Sequence, residues 1–235
     1  MINIQDQVAR TTKTLIFTEP FYGLFLIGIN KQYSDKIPTA GVSKHGIGMQ
    51  LTINPEFYNE LSEDHRFGLM KHELLHIAFG HLLLRDLYSD HKLFNIAADL
   101  EINQYIKESK LPTGGLLLSS FPELNLPSKA GTKKYYEILE GAQEDGTSPS
   151  LDALMDQMDG ESQYCHKTWN EFDELPEADK KLMQKQIEHQ LKESAEQTVK
   201  KQGHVPGELA ELIHRLMHIE PAKFDWKGYL KRFVG

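Results

Sequence analysis

Between residues 47 and 53 the chain alternates. Ile47, Met49, Leu51 and Ile53 point one way, and Gly48, Gln50 and Thr52 the other. A period of two predicts a strand with one apolar face. Asn54-Pro55 ends it and opens a short helix through about Leu61. From Glu63 to about Leu87 the period changes: apolar residues recur at helical spacing with no proline between them. This predicts one long helix, with Ser62 as its N-cap and Glu63 and Asp64 in its acidic first turn. Asp90 to Lys107 reads as a second long helix, with Leu93, Ile96, Ala97, Leu100 and Ile106 as its apolar stripe.

Upstream, residues 3 to about 18 form an amphipathic helix pattern stopped by Pro20. The run Leu24-Phe25-Leu26-Ile27-Gly28-Ile29 is dense in β-formers and predicts a buried strand, with a second helix as the alternative. Pro38 to Ser43 reads as short and extended. Downstream, Leu111 to Pro127 is a loop punctuated by Pro, Gly and Ser. Thr132 to Glu140 is a short helix, and Gly141 to Gly160 has the composition of a flexible insertion. Glu177 to Lys201 is a long helix whose charges form a solvated face. Gly203 to Gly207 breaks it, Glu208 to His218 resumes helix, and Pro221 ends it.

Strands first and helices afterwards predict an α+β fold, with a small N-terminal sheet packed against the long helix and further helices. Residues 1–140 read as the core, and 141–235 as a mainly helical C-terminal part packed on it.

Composition narrows the partners. A net charge of −8 lacks the basic face that a nucleic-acid backbone requires. The single cysteine, Cys165, allows neither an intrachain disulfide nor a Cys-rich zinc site, which fits a reducing compartment. The first residues lack the basic and apolar regions of a secretory signal, and Phe21 to Ile29 is too short to span a bilayer. A cytoplasmic location is expected, with no membrane partner.

The chemistry concentrates in His72-Glu73-Leu74-Leu75-His76, an H-E-x-x-H motif. Residues four apart share a helix face, so both imidazoles can grip one Zn²⁺. Glu73 then stands beside the metal's open position, where a general base would act on water. A catalytic zinc usually takes a third protein ligand. His81 is close in sequence, but on a continuous helix it points about 140° away from His76. The expectation is a hydrogen-bonded residue on the opposite side. Asp99 on the next helix is the better candidate: a carboxylate among Ala97, Ala98, Leu100 and Ile102, with Asn103 one turn on to orient a ligand. Glu101 is its rival, about 200° round the wheel and expected to be exposed. His166, in Tyr164-Cys165-His166-Lys167, is a candidate donor to a tetrahedral oxyanion.

These residues carry a family resemblance. Thr39-Ala40, Asn54-Pro55, HELLHIAFGH, NIAADLEIN and Leu111-Pro112 resemble the metallopeptidase domain found ahead of von Willebrand factor type A-like domains in bacterial and phage proteins. His166 before Trp169, the break at Gly203 to Gly207, and Asp225-Trp226 leading to Leu230-Lys231-Arg232-Phe233 extend the resemblance over nearly the whole chain. It implies a zincin-like fold, metal-dependent peptidase activity, and AAA+ ATPases encoded nearby as partners. In that family a von Willebrand-like domain usually follows. The sequence stops at Gly235, so it is expected to be either the leading domain of a longer protein or a stand-alone version.

Three functions remain open at this level. One is a zinc peptidase acting through Glu73, with the 47–53 strand at a sheet edge pairing with an extended substrate. Another is a non-catalytic zinc-containing module that assembles with an AAA+ ATPase or a von Willebrand-like partner. The weakest is a metal hydrolase acting on a non-peptide bond.

Overall fold

The computed structural model describes residues 3–158 and 168–218. His166, Cys165, Pro221 and the 225–233 motif lie outside the described residues. Helix α1 (Ile4–Thr18) starts where the Asn3 side chain accepts the Gln5 N–H, and it buries Val8 and Leu15. Glu19 separates it from α2 (Pro20–Gly28), which opens on proline because that position needs no N–H. Residues 24–28 of the strand expected at 24–29 therefore belong to this helix, with Ile29 as its extended C-cap. Phe21, Tyr22, Phe25 and Leu26 are buried while Ile27 is exposed, which is helical spacing. A short apolar run fits a buried strand and a buried helix equally well by composition.

Strands β1 (Asn30–Tyr33), β2 (Ala40–His45) and β3 (Gly48–Ile53) form a sheet in the order β1-β3-β2. β3 runs parallel to β1 and antiparallel to β2. The alternating strand is thus central and doubly paired, and it offers no edge to a substrate. Period two shows which face of a strand is buried; it is silent on which strands lie beside it. Met49, Leu51 and Ile53 are buried, while Ile47 sits exposed in the β2–β3 turn. β2 has no strand on its other side among the described residues, and there the Val42 carbonyl accepts the Thr168 hydroxyl at 2.6 Å.

Asn54 caps α3 (Pro55–Glu60), and the Ser62 hydroxyl accepts the His65 N–H to start α4 (Glu63–Phe79). α4 does not run on to Leu87. Gly80 adopts a left-handed conformation, φ 73°, and its N–H closes the helix on the His76 and Ile77 carbonyls. A second short helix, α5 (His81–Leu84), and a turn at Arg85–Leu87 follow. The helical spacing of apolar residues survives the break because Leu82 and Leu83 also reach the core.

Helix α6 (His91–Asn103), capped by Asp90, packs against α4 and against α7 (Thr132–Asp145). The stretch expected as an insertion is helical on both sides of Gly146, since α7 runs to Asp145 and α8 spans Pro149–Met158. After α9 (Asn170–Asp173), the long α10 (Glu177–Gln202) buries Met183, Ile187, Leu191 and Ala195 and packs on α2. Most of its charged residues lie on the other side, but Lys180 is buried and pairs with Asp86. Gly203 ends it, and α11 (Ala210–His218) follows. No helix among the described residues is long and apolar enough to cross a membrane.

One contact ties this frame to the functional residues. Gly68 lies on α4 one turn before His72, and a Cβ there would stand 1.9 Å from the Lys110 carbonyl oxygen. The turn at 108–110 leads directly into the 111–116 segment, so the close approach sets the spacing between them. Gly68→Ala should lower stability by about 1–3 kcal/mol through overpacking, despite alanine's better helix propensity. Denaturant unfolding reads this, and an unchanged midpoint would contradict so close an approach.

Candidate metal centre

Two helices supply the donors. α4 presents His72 and His76 one turn apart, and α6 presents Asp99 toward them. His76 Nε2 lies 3.0 Å from His72 Nε2 and 3.1 Å from Asp99 Oδ1, and His72 Nε2 lies 3.6 Å from that oxygen. Three donors around a tetrahedral zinc, each at about 2.0–2.1 Å, would stand about 3.3–3.4 Å apart. The triangle therefore has the size and chemistry to hold a metal ion.

The outer nitrogens are also engaged. His72 Nδ1 lies 2.8 Å from Asn103 Oδ1, while the Asn103 amide nitrogen donates to the Leu116 carbonyl at 2.8 Å. That second bond orients the amide, so its oxygen faces the ring and His72 donates from Nδ1. The lone pair on Nε2 is left facing the triangle. His76 is fully buried. Burial first, then the neighbouring His72, holds its pKa well below the ordinary imidazole value, with Asp99 opposing. This shift favours the neutral ring, the form that binds a metal.

Glu73 is 2% exposed and borders a cavity of about 240 Å³, which His72 and Asp99 also line. The cavity's other walls are largely apolar, from Phe57, Leu69, Ile96, Leu111, Leu116 and Leu154. Thr39 and Ala40, where β2 begins, close one side. A carboxylate beside two imidazoles, lining a largely apolar cleft, is an arrangement suited to proton transfer during hydrolysis.

Residues 4–235 match the model of a family described as a putative metallopeptidase domain. The chain belongs to this family. No curated protein and no solved structure matches it. That family description implies a metal, and the His72, His76 and Asp99 donors fit one.

In this domain the structure brings together His72, Glu73, His76, Asp99 and Asn103. Glu101, expected to be exposed, is buried instead: Thr132 and His81 hold its carboxylate. Helical angle predicts direction correctly here, but α7 covers that direction. Burial alone would raise the Glu101 pKa, yet hydrogen bonds from His81 and Thr132 outweigh it and the net shift is downward. His81 is buried too, and it faces His76 rather than the opposite side. The turn at Gly80 brings it back.

Two features escaped the sequence reading. The 111–116 segment walls the cavity, which no local pattern announced beyond its turn residues. Trp169 is completely buried with its ring 4.8 Å from that of His76, nearly perpendicular. A tryptophan in a polar stretch was the available signal.

Proposed function

We propose that this domain is a zinc-dependent peptidase that hydrolyses peptide bonds, with His72, His76 and Asp99 as the metal ligands and Glu73 as general base. The observation that carries this reading is the convergence of three donor atoms within 3.0–3.6 Å of one another beside Glu73. When bound, zinc supplies a Lewis acid and makes water a stronger acid. Glu73 takes a proton from the attacking water and passes it to the leaving amine. Asn103 keeps His72 in the tautomer whose Nε2 is free to ligate. The apolar walls exclude bulk water, which strengthens each of these electrostatic interactions. His166 is kept as the proposed oxyanion donor, supported by Trp169, three residues on in sequence, lying against His76.

The proposed substrate strand pairs with β2, which replaces β3 in this role. Successive backbone groups of a strand alternate in direction, so Ala40 shares the outward direction of Val42. Val42 is occupied by Thr168, and Ala40 borders the cavity. A peptide would therefore pair over a short stretch beginning at Ala40. Glu73 favours an enzyme over a non-catalytic assembly module, since a closed structural site fills its positions with ligands and has no use for a base. An AAA+ ATPase or a von Willebrand factor type A-like domain is the proposed partner, on the family resemblance.

The test is cleavage of a broad peptide library, followed by mass spectrometry. Purified protein should cut, a chelator should stop it, and added zinc should restore it. Cleavage that persists unchanged after complete metal removal would end the reading.

A further inference from the structure

Behind His76 lies a chain of buried polar groups that the proposed reaction does not use. His76 Nδ1 stands 2.9 Å from His81 Nδ1. His81 Nε2 stands 2.9 Å from the Thr132 hydroxyl oxygen and 3.5 Å from Glu101 Oε2. Thr132 donates twice to that carboxylate oxygen, from its hydroxyl and from its backbone N–H, the latter at 2.8 Å. His76 and His81 are each 1% exposed, and Glu101 and Thr132 each 9%. The carboxylate sits at the N-terminus of α7, where the helix dipole favours its charge.

The proton directions follow from chemistry. An ionised carboxylate only accepts, so Thr132 must donate to Glu101. A histidine that ligates through Nε2 carries its proton on Nδ1, so His76 must donate to His81. His81 Nδ1 then accepts, and a neutral His81 bears its proton on Nε2, facing Thr132 and Glu101. Every donor finds an acceptor in this one arrangement. The two histidines of the motif are thus supported differently. His72 leans on a neutral amide, and His76 on a chain that ends in a charge.

We propose that His81, anchored by Glu101 and Thr132, is a positioning residue for His76, setting its tautomer and ring orientation and so the affinity of the site for its metal. This rests on the reading of His76 as a ligand. It also gives the Gly80 turn a function. On an unbroken helix His81 would point about 140° from His76 and could not reach it. The left-handed glycine, φ 73°, ends α4 and lets the next residue return to the metal side.

The test uses the full chain and compares wild type with His81→Leu, His81→Asn and Glu101→Gln. Zinc affinity is measured by competition with a chromophoric chelator, the visible spectrum of the cobalt-loaded protein is recorded, and folding is followed by circular dichroism. Leucine fills space without accepting a hydrogen bond. It should weaken zinc binding roughly 10–100-fold and shift the cobalt bands. Asparagine places an acceptor near the Nδ1 position and should recover most of that loss. Glu101→Gln keeps the shape, removes the charge, and should weaken binding by about tenfold. A folded His81→Leu that binds zinc as tightly as wild type overturns the proposal. So does an asparagine variant as weak as leucine, because the role would then be packing. If His81→Leu fails to fold, Glu101→Gln decides, and unchanged affinity there overturns the proposal. A wild type that takes up neither zinc nor cobalt overturns the metal-site reading itself, a result distinct from unequal or equal variants of a metal-binding protein.

Discussion

Asp99→Ala should empty the metal site. Purified wild type is expected to hold about one zinc per chain. The variant should lose affinity by more than the roughly 10–100-fold that an outer hydrogen-bonding partner contributes. The reason is geometric: Asp99 Oδ1 lies 3.1 Å and 3.6 Å from the two imidazole nitrogens. Without that donor two neutral histidines remain, and the ion's charge has no carboxylate to meet it. His72→Ala should behave alike, because it removes a donor and also leaves Asn103 Oδ1 without its ring partner. Elemental analysis of dialysed protein, with circular dichroism to confirm folding, reads both. A folded Asp99→Ala that keeps a full complement of zinc would mean that the third ligand lies elsewhere.

Glu73→Gln should separate binding from chemistry. The side chain keeps its size and loses only its charge and its capacity to take a proton. Metal content should stay at the wild-type level, while peptide cleavage falls on the order of 10²–10⁴-fold, the usual contribution of a positioned general base. Glu73 is 2% exposed and faces the cavity, so solvent cannot readily stand in for it. Mass spectrometry of a digested peptide library, at equal zinc loading, makes the comparison. Equal processing by the two proteins would remove the main support for Glu73 as the base.

The candidate site was legible where it depended on helical periodicity. His72 and His76 share a face because they are four residues apart, and Asp99 and Asn103 do so for the same reason. A carboxylate set among Ala97, Ala98, Leu100 and Ile102 signalled a need for a partner, and α6 does carry Asp99, half-buried rather than fully buried, to within reach of α4. Legibility failed where a residue's role depended on what covers it. Glu101 points away from Asp99 as its angle requires, but α7 covers it. His81 was placed by extending a helix that Gly80 ends. The glycine was in view; the apolar residues after it concealed the stop, because α5 contributes to the same core.

The fold divides along the same line. The sequence by itself determined the local periods: α1, β3 with its apolar face, α3, the start of α4, α6 and α10, together with the spacing of the motif. These follow from interactions within a few residues, where backbone geometry sets which side chains share a face. Only the tertiary structure decided that residues 24–28 are part of a helix, and that β3 lies between β1 and β2. It alone linked His76 through His81 to Glu101. Each of these depends on partners far away in sequence, Gln50 with Asn30 or Thr132 with Glu101. A local pattern states that a surface must be buried, and leaves open which distant surface buries it.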